Sequence, residues 1–175
     1  SEMCIRDRKI TATTKRSGTV DTIVQKLRQT VRDAERWEVA VGYPVGAEGL
    51  GTPNPAYAED DGGEAPSIIE VALKNNYGIG VPRRAFMDLA SVAMEDTYKE
   101  VIQETAEALS KGEATIKKVL DVAGLKAEDD IRDAIDDGNW LPNSPVTIAL
   151  KGSDHPLIDT TSMRNRATHL VRPRT

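Results

Sequence analysis

Six carboxylates crowd residues 128–137: Glu128, Asp129, Asp130, Asp133, Asp136 and Asp137. On a helix, Asp129 and Asp133 stand one turn apart, as do Asp133 and Asp137. At that spacing two carboxylates can share a divalent cation. The order of residues is not that of a calcium-binding loop, and no histidine joins the run. Ile131 and Ile135 lie on the opposite face, so the same acids also suit the solvated side of an amphipathic helix. The 2 histidines are His155 and His169. A nucleophilic dyad needs one of them beside Ser, Cys or Asp. His155 sits in a turn between Asp154 and Pro156, and His169 falls in an expected strand. Gly-x-Ser-x-Gly, His-Glu-x-x-His and a Gly-x-Gly-x-x-Gly between strand and helix are all missing. Gly49-Leu-Gly51 lacks the context of a phosphate loop. Arg83 and Arg84, after Pro82, have the chemistry to meet a phosphate or a partner's carboxylate, or simply to expose charge at a helix entry. No enzyme and no cofactor is expected; a metal-binding enzyme built on Glu128–Asp137 is the alternative.

The elements that must carry these residues follow from composition and periodicity. The chain has 175 residues, 39% hydrophobic and 29% charged, which suits one domain with a modest core. Aromatics are 4%, so that core is mostly aliphatic. A net charge of −5 argues against nucleic-acid binding by the whole surface. Basic residues gather before Gly18 and at Arg164, Arg166, Arg172 and Arg174, while Glu95 to Asp137 is acidic. Such a division suits pairing between copies and pairing within one chain equally. Nothing approaches the ~20 apolar residues of a membrane-spanning helix, and no export signal is evident. One cysteine, Cys4, excludes an internal disulfide framework and suits a reducing cytosol. Residues 1–8 resemble translated sequencing-adapter sequence; residues 1–18 are expected to be a flexible arm, and 19–175 a single domain.

Val20, Ile23, Val24, Leu27, Val31 and Ala34 make an apolar stripe on an N-terminal helix, with Thr19 as its cap. Trp37 to Tyr43 alternates as a strand and stops at Pro44. Residues 46–66 are Gly/Pro-rich and acidic (Glu59, Asp60, Asp61 and Glu64), with almost no core-forming residues. A short helix follows from Ser67 to Tyr77, closed by Gly78, then an extended turn through Pro82. A long helix is expected from Phe86 to Lys111, with Ala90, Met94, Tyr98, Val101, Thr105 and Ala108 inward. Another carries Ile116, Val119, Leu120 and Ala123 inward, is lightly interrupted at Gly124, and continues through Ile131, Ala134 and Ile135 to Gly138. A helical turn over Ser162–Asn165 and a strand over Ala167–Arg172 complete the chain. The fold class is α+β: a small antiparallel sheet, an N-terminal helix, two long central helices and long extended loops. Two strands alone are marginal, so a third is expected from the 46–66 region or from a neighbouring copy.

Leu141 to Thr160 is the stretch whose residue types look most constrained. Pro142, Pro145 and Pro156 fix the backbone, Asn143 and Ser144 offer caps, and Val146–Leu150 is apolar before Lys151-Gly152. Two segments resemble phage neck and tail-completion proteins, the HK97 gp10-like family. The first is Tyr77-Gly78 followed by Val81-Pro82-Arg83-Arg84-Ala85-Phe86; Ala85 replaces a usual proline. The second is Trp140-Leu141-Pro142-Asn-Ser144-Pro145-Val-Thr147-Ile148, then Lys151-Gly-Ser153, then Pro156-Leu157-Ile-Asp159-Thr160 and Met163; Thr161 stands where glycine is usual. The resemblance covers roughly residues 67–172.

It implies a structural virion protein without enzymatic activity, forming a ring of copies of itself, hexameric by analogy, at the head–tail interface. The implied partners are neighbouring connector or stopper proteins and the tail tube or tail terminator. Genomic DNA would pass through the lumen without sequence-specific binding, aided by an acidic lining, and no membrane is involved. Localisation would be the virion tail or neck, after assembly in the host cytoplasm. A tail-associated minor morphogenesis protein is a second possibility within the same setting. The assembly residues the resemblance points to are Tyr77, Val81, Pro82, Arg83, Arg84, Phe86, Pro142, Ser144, Pro145, Thr147, Lys151, Pro156, Leu157, Asp159 and Thr160. The 141–160 connector is expected at a subunit interface.

Overall fold

The computed structural model describes residues 18–54, 64–158 and 161–174. Residues 1–17 of the arm expected over 1–18 and the acids Glu59, Asp60 and Asp61 lie outside these residues, as do Asp159 and Thr160; Gly18 is the first residue of α1. The order is α1 (Gly18–Arg36), β1 (Trp37–Gly42), α2 (Ile68–Tyr77), α3 (Phe86–Lys111), α4 (Ile116–Asp137), α5 (Pro145–Lys151), α6 (Ser162–Asn165) and β2 (Thr168–Pro173). The fold is α+β, as the alternation of patterns predicts.

β1 and β2 form an antiparallel two-stranded sheet, with Val39 opposite Val171 and Val41 opposite His169. No third strand joins them among the described residues; the described part of the 46–66 region makes an isolated bridge, Pro53 to Ser67. α4 lies along one face of the sheet, and α3 lies against α4. A two-stranded sheet is marginal alone; here α4 covers its apolar face.

The main core gathers Phe86, Ile68, Ile131, Ile135 and Met163, all essentially inaccessible. Each such side chain contributes roughly 1.5–3 kcal/mol by leaving water. Tyr43 meets Phe86 edge-on with ring centroids 6.3 Å apart, and its hydroxyl donates to the Met163 carbonyl at 2.8 Å. Leu50 is buried in this core as well, so the 46–66 region supplies a core residue that its Gly/Pro-rich composition hides. A smaller cluster, Val101, Val119 and Ala123, joins α3 to α4.

Local signals set the element ends. Ser67 caps α2 in a reciprocal pair: its hydroxyl accepts from the Glu70 amide, and the Ser67 amide donates to the Glu70 carboxylate at 2.7 Å. That bonding holds the Glu70 carboxyl below its ordinary pKa. Gly78 ends α2 at φ 74°, where a Cβ would sit 2.9 Å from Arg83 Cβ, so glycine is required twice over. α4 runs unbroken through Gly124. The glycine marks a close approach: a Cβ there would lie 2.4 Å from the His169 ring.

α1 departs from expectation. Thr19 falls inside the first turn rather than at its cap. The apolar stripe does not face the body: Ile23, Val24, Leu27 and Val31 are 39–58% exposed. The contact side is the polar flank, where Lys26 donates to the Lys111 carbonyl at 3.1 Å and Lys26, Gln29, Thr30 and Asp33 line a crevice with Leu109 and Thr115.

Candidate functional site

The two segments that carry the resemblance are 57 to 59 residues apart in the chain and are tied together by one side chain. Arg84 is 6% exposed. Its guanidinium donates to the Leu141 carbonyl at 3.2 and 3.3 Å, to Asn143 Oδ1 at 2.9 Å and to Asn75 Oδ1 at 3.5 Å. The Arg84 amide donates to the Asn75 carbonyl at 2.8 Å. Every acceptor is neutral, and burial pulls the Arg84 pKa below the ordinary arginine value. The planar five-donor fork spans acceptors on two segments at once, which a single ammonium does not.

Arg84 is therefore a strut within the subunit, a role the exposed-charge and partner-carboxylate readings both miss. Arg83 points outward instead, paired with Asp88 at 2.7 Å with both side chains more than half exposed. Phe86 and Leu157 are also taken by the fold, at 0% and 9% exposure. These two and Arg84, named above among the assembly residues, are buried within the subunit, where they shape the fold.

The Pro-x-Ser-Pro-x-Thr run has a local mechanism. Ser144 caps α5, accepting from the Thr147 amide at 3.1 Å, and the two hydroxyls lie 2.8 Å apart. Pro145 takes the first helical turn, where its missing N–H costs nothing. Gly152 ends the helix in a left-handed conformation after Lys151. Among the described residues, two non-glycine residues carry positive φ, Leu157 at 65° and Thr161 at 59°. A β-branched residue is disfavoured there, which is the physical reason a glycine suits the position of Thr161. Its hydroxyl accepts from Asn165 Nδ2 at 3.1 Å.

On these two tied segments five apolar side chains face solvent: Tyr77 61%, Ile79 57%, Val81 39%, Leu141 62% and Val146 70% exposed. Pro82, Pro142, Ser144 and Pro145 are exposed with them, and Thr147 and Pro156 are half-buried. Neither resemblance nor periodicity singles out Ile79, Leu141 and Val146. Also unanticipated is Asn76, fully buried, whose Oδ1 accepts from the Met87 amide at 3.0 Å and so orients the α3 entry. An Asn pair just before Tyr77-Gly78 was the available signal.

The carboxylate run does not converge. Asp136 pairs with Arg164, Asp129 and Glu128 with Arg132, and Asp130 accepts from Thr97 at 2.8 Å. Among the described residues, no three His, Cys, Asp or Glu side chains come together as a metal site. Of the C-terminal arginines, Arg164 reaches Asp136 and Arg172 reaches Glu38 at 2.8 Å, so part of the basic end is neutralised within the chain.

Glu128 instead anchors a titratable cluster that sequence reasoning leaves apart. His169 on β2 bonds Glu128 through Nδ1 at 2.7 Å and Asp121 through Nε2 at 3.1 Å. Glu128 also meets Arg132 at 2.7 Å, and Arg132 donates to the Ala167 carbonyl at 3.0 Å. Burial works against the imidazolium, but the bonds to Asp121 and Glu128 outweigh it and raise the His169 pKa. A cavity of about 520 Å³ lies alongside, lined in part by Glu48, Leu50, Arg132, Arg166 and His169. Both ring nitrogens are committed to carboxylates, so the cluster joins β2 to α4 and leaves no free base to activate a hydroxyl.

Among the described residues, no helix is long and apolar enough to cross a membrane. Compared with known proteins, the chain matches no family model, no curated protein and no solved structure.

Proposed function

We propose that the protein is a structural component of a tailed-phage virion, a ring-forming neck or tail-completion subunit that joins tail to head. One observation carries the proposal: buried Arg84 ties together the two segments that resemble the HK97 gp10-like family, and the rim they form exposes Tyr77, Ile79, Val81, Leu141 and Val146. Apolar side chains held outward on a braced scaffold suit protein contact. A head-to-tail contact between this rim and a different face of the next copy closes a ring. The partners in this account are further copies, adjoining connector or stopper proteins, and the tail tube or terminator, with DNA passing through an acidic lumen without sequence recognition.

Native mass spectrometry of the full chain, followed by electron microscopy, tests the proposal. Closed rings are the expected species, and Val81→Asp should convert them to smaller forms while leaving the circular dichroism unchanged. A strict monomer, alone and with portal, stopper or tail-tube proteins, refutes it.

A further inference from the structure

We infer that α1 is a self-association helix, which pairs antiparallel with α1 of a second copy about a two-fold axis. Val20, Val24, Leu27, Val31 and Ala34 alternate steps of four and three residues, the repeat of a helix–helix seam. The structure turns that seam away from the body. Ile23, Val24, Leu27 and Val31 stand exposed, while the polar flank is held by the Lys26 bond to the Lys111 carbonyl. The helix is thus fixed with its apolar side outward, and the spacing calls for another helix of the same repeat.

Charge selects the arrangement. Asp21 and Arg28 flank the seam on the same side, and neither has a hydrogen bond or ion pair with the described residues. Setting two α1 helices antiparallel, with Val24 against the partner's Leu27, brings Asp21 beside the partner's Arg28, and the symmetry repeats the pair. Shifting the register by one heptad opposes Arg28 with the partner's Arg28 and Asp21 with the partner's Glu35. A parallel pair places Arg28 beside the partner's Ile23, without charge pairing. The antiparallel register is the one in which every charged flank meets its opposite or solvent. Such a contact is isologous and separate from the rim around Tyr77 and Val81, so it stands or falls independently of the ring.

The test uses the full chain carrying Val81→Asp, which disables the rim, in sedimentation equilibrium. A dimer is expected, with a dissociation constant of about micromolar order, as suits a short seam. Leu27→Glu should abolish it without loss of helix content, because Leu27 is solvent-exposed in the subunit. Asp21→Arg and Arg28→Asp should each weaken association about tenfold, by opposing like charges. The double exchange should restore it. A monomer in the Val81→Asp chain, the result expected if residues 1–17 cover the seam instead, overturns the inference. So does a double exchange that stays as weak as the single ones, which would signify a parallel pair or another register.

Discussion

His169 shows how one side chain can couple the end of the chain to its centre. It sits between Asp121 and Glu128, with Arg132 beyond, and its pKa is raised. A raised folded-state pKa means that the folded protein holds the proton more tightly than the unfolded chain. The resulting stabilisation is complete below the ordinary histidine value of about 6.5 and fades as pH rises through the higher folded value. His169→Gln should therefore destabilise the protein most in mildly acidic buffer, with the gap to wild type narrowing toward pH 9. Thermal melts across that range give the readout, and a gap that widens with pH would contradict the assignment. Thr161 offers a change of opposite sign. Its φ of 59° costs a β-branched residue roughly 1–2 kcal/mol. Thr161→Gly relieves this but loses the Asn165 bond and adds unfolded-state entropy. A net gain of about 0.5 kcal/mol in urea denaturation is expected; a loss above about 1 kcal/mol would show that the hydroxyl outweighs the backbone strain.

At the scale of elements, much was legible because it is local. The stripe from Ala90 to Ala108 on α3, the start of α2 near Ser67, the Gly78 stop and the alternation of Trp37–Tyr43 are each set by neighbours a turn or a pleat away. What escaped depends on partners far along the chain. Periodicity shows that α1 has an apolar face but not whether anything in the subunit lies opposite it. Leu50 looks like loop until the fold closes over it. His169 meets Glu128 across 41 positions, and the one local trace of that contact is Gly124, which makes room for the ring. Arg84 belongs to the same class: its place in a motif was visible, its inward direction was not. Arg84→Ala should cost about 1–3 kcal/mol by leaving the Leu141 carbonyl and Asn143 Oδ1 unpaired. Arg84→Lys should recover little of it, because an ammonium donates from one nitrogen, whereas the guanidinium reaches Leu141, Asn143 and Asn75 through Nε, Nη1 and Nη2 together. Full recovery by lysine in chemical denaturation would mean that charge, rather than the fork, holds the two segments.

For the whole molecule, an internal core and an outward apolar surface have separate owners. Phe86, Leu157 and Met163 hold the subunit together, while Tyr77, Ile79, Val81, Leu141 and Val146 face solvent on segments braced by Arg84. The 141–160 connector divides along the same line: Leu157 turns into the core and Val146 turns out. Asymmetric exposure of this kind suits a subunit that completes itself through neighbours, and the rim is where the ring account makes its strongest claim. The direct measurement is the mass distribution of the full chain by native mass spectrometry, wild type against Val81→Asp. The account predicts one closed ring stoichiometry for wild type and its loss in the variant. Wild-type protein that stays monomeric, or rings that survive Val81→Asp unchanged, would contradict it.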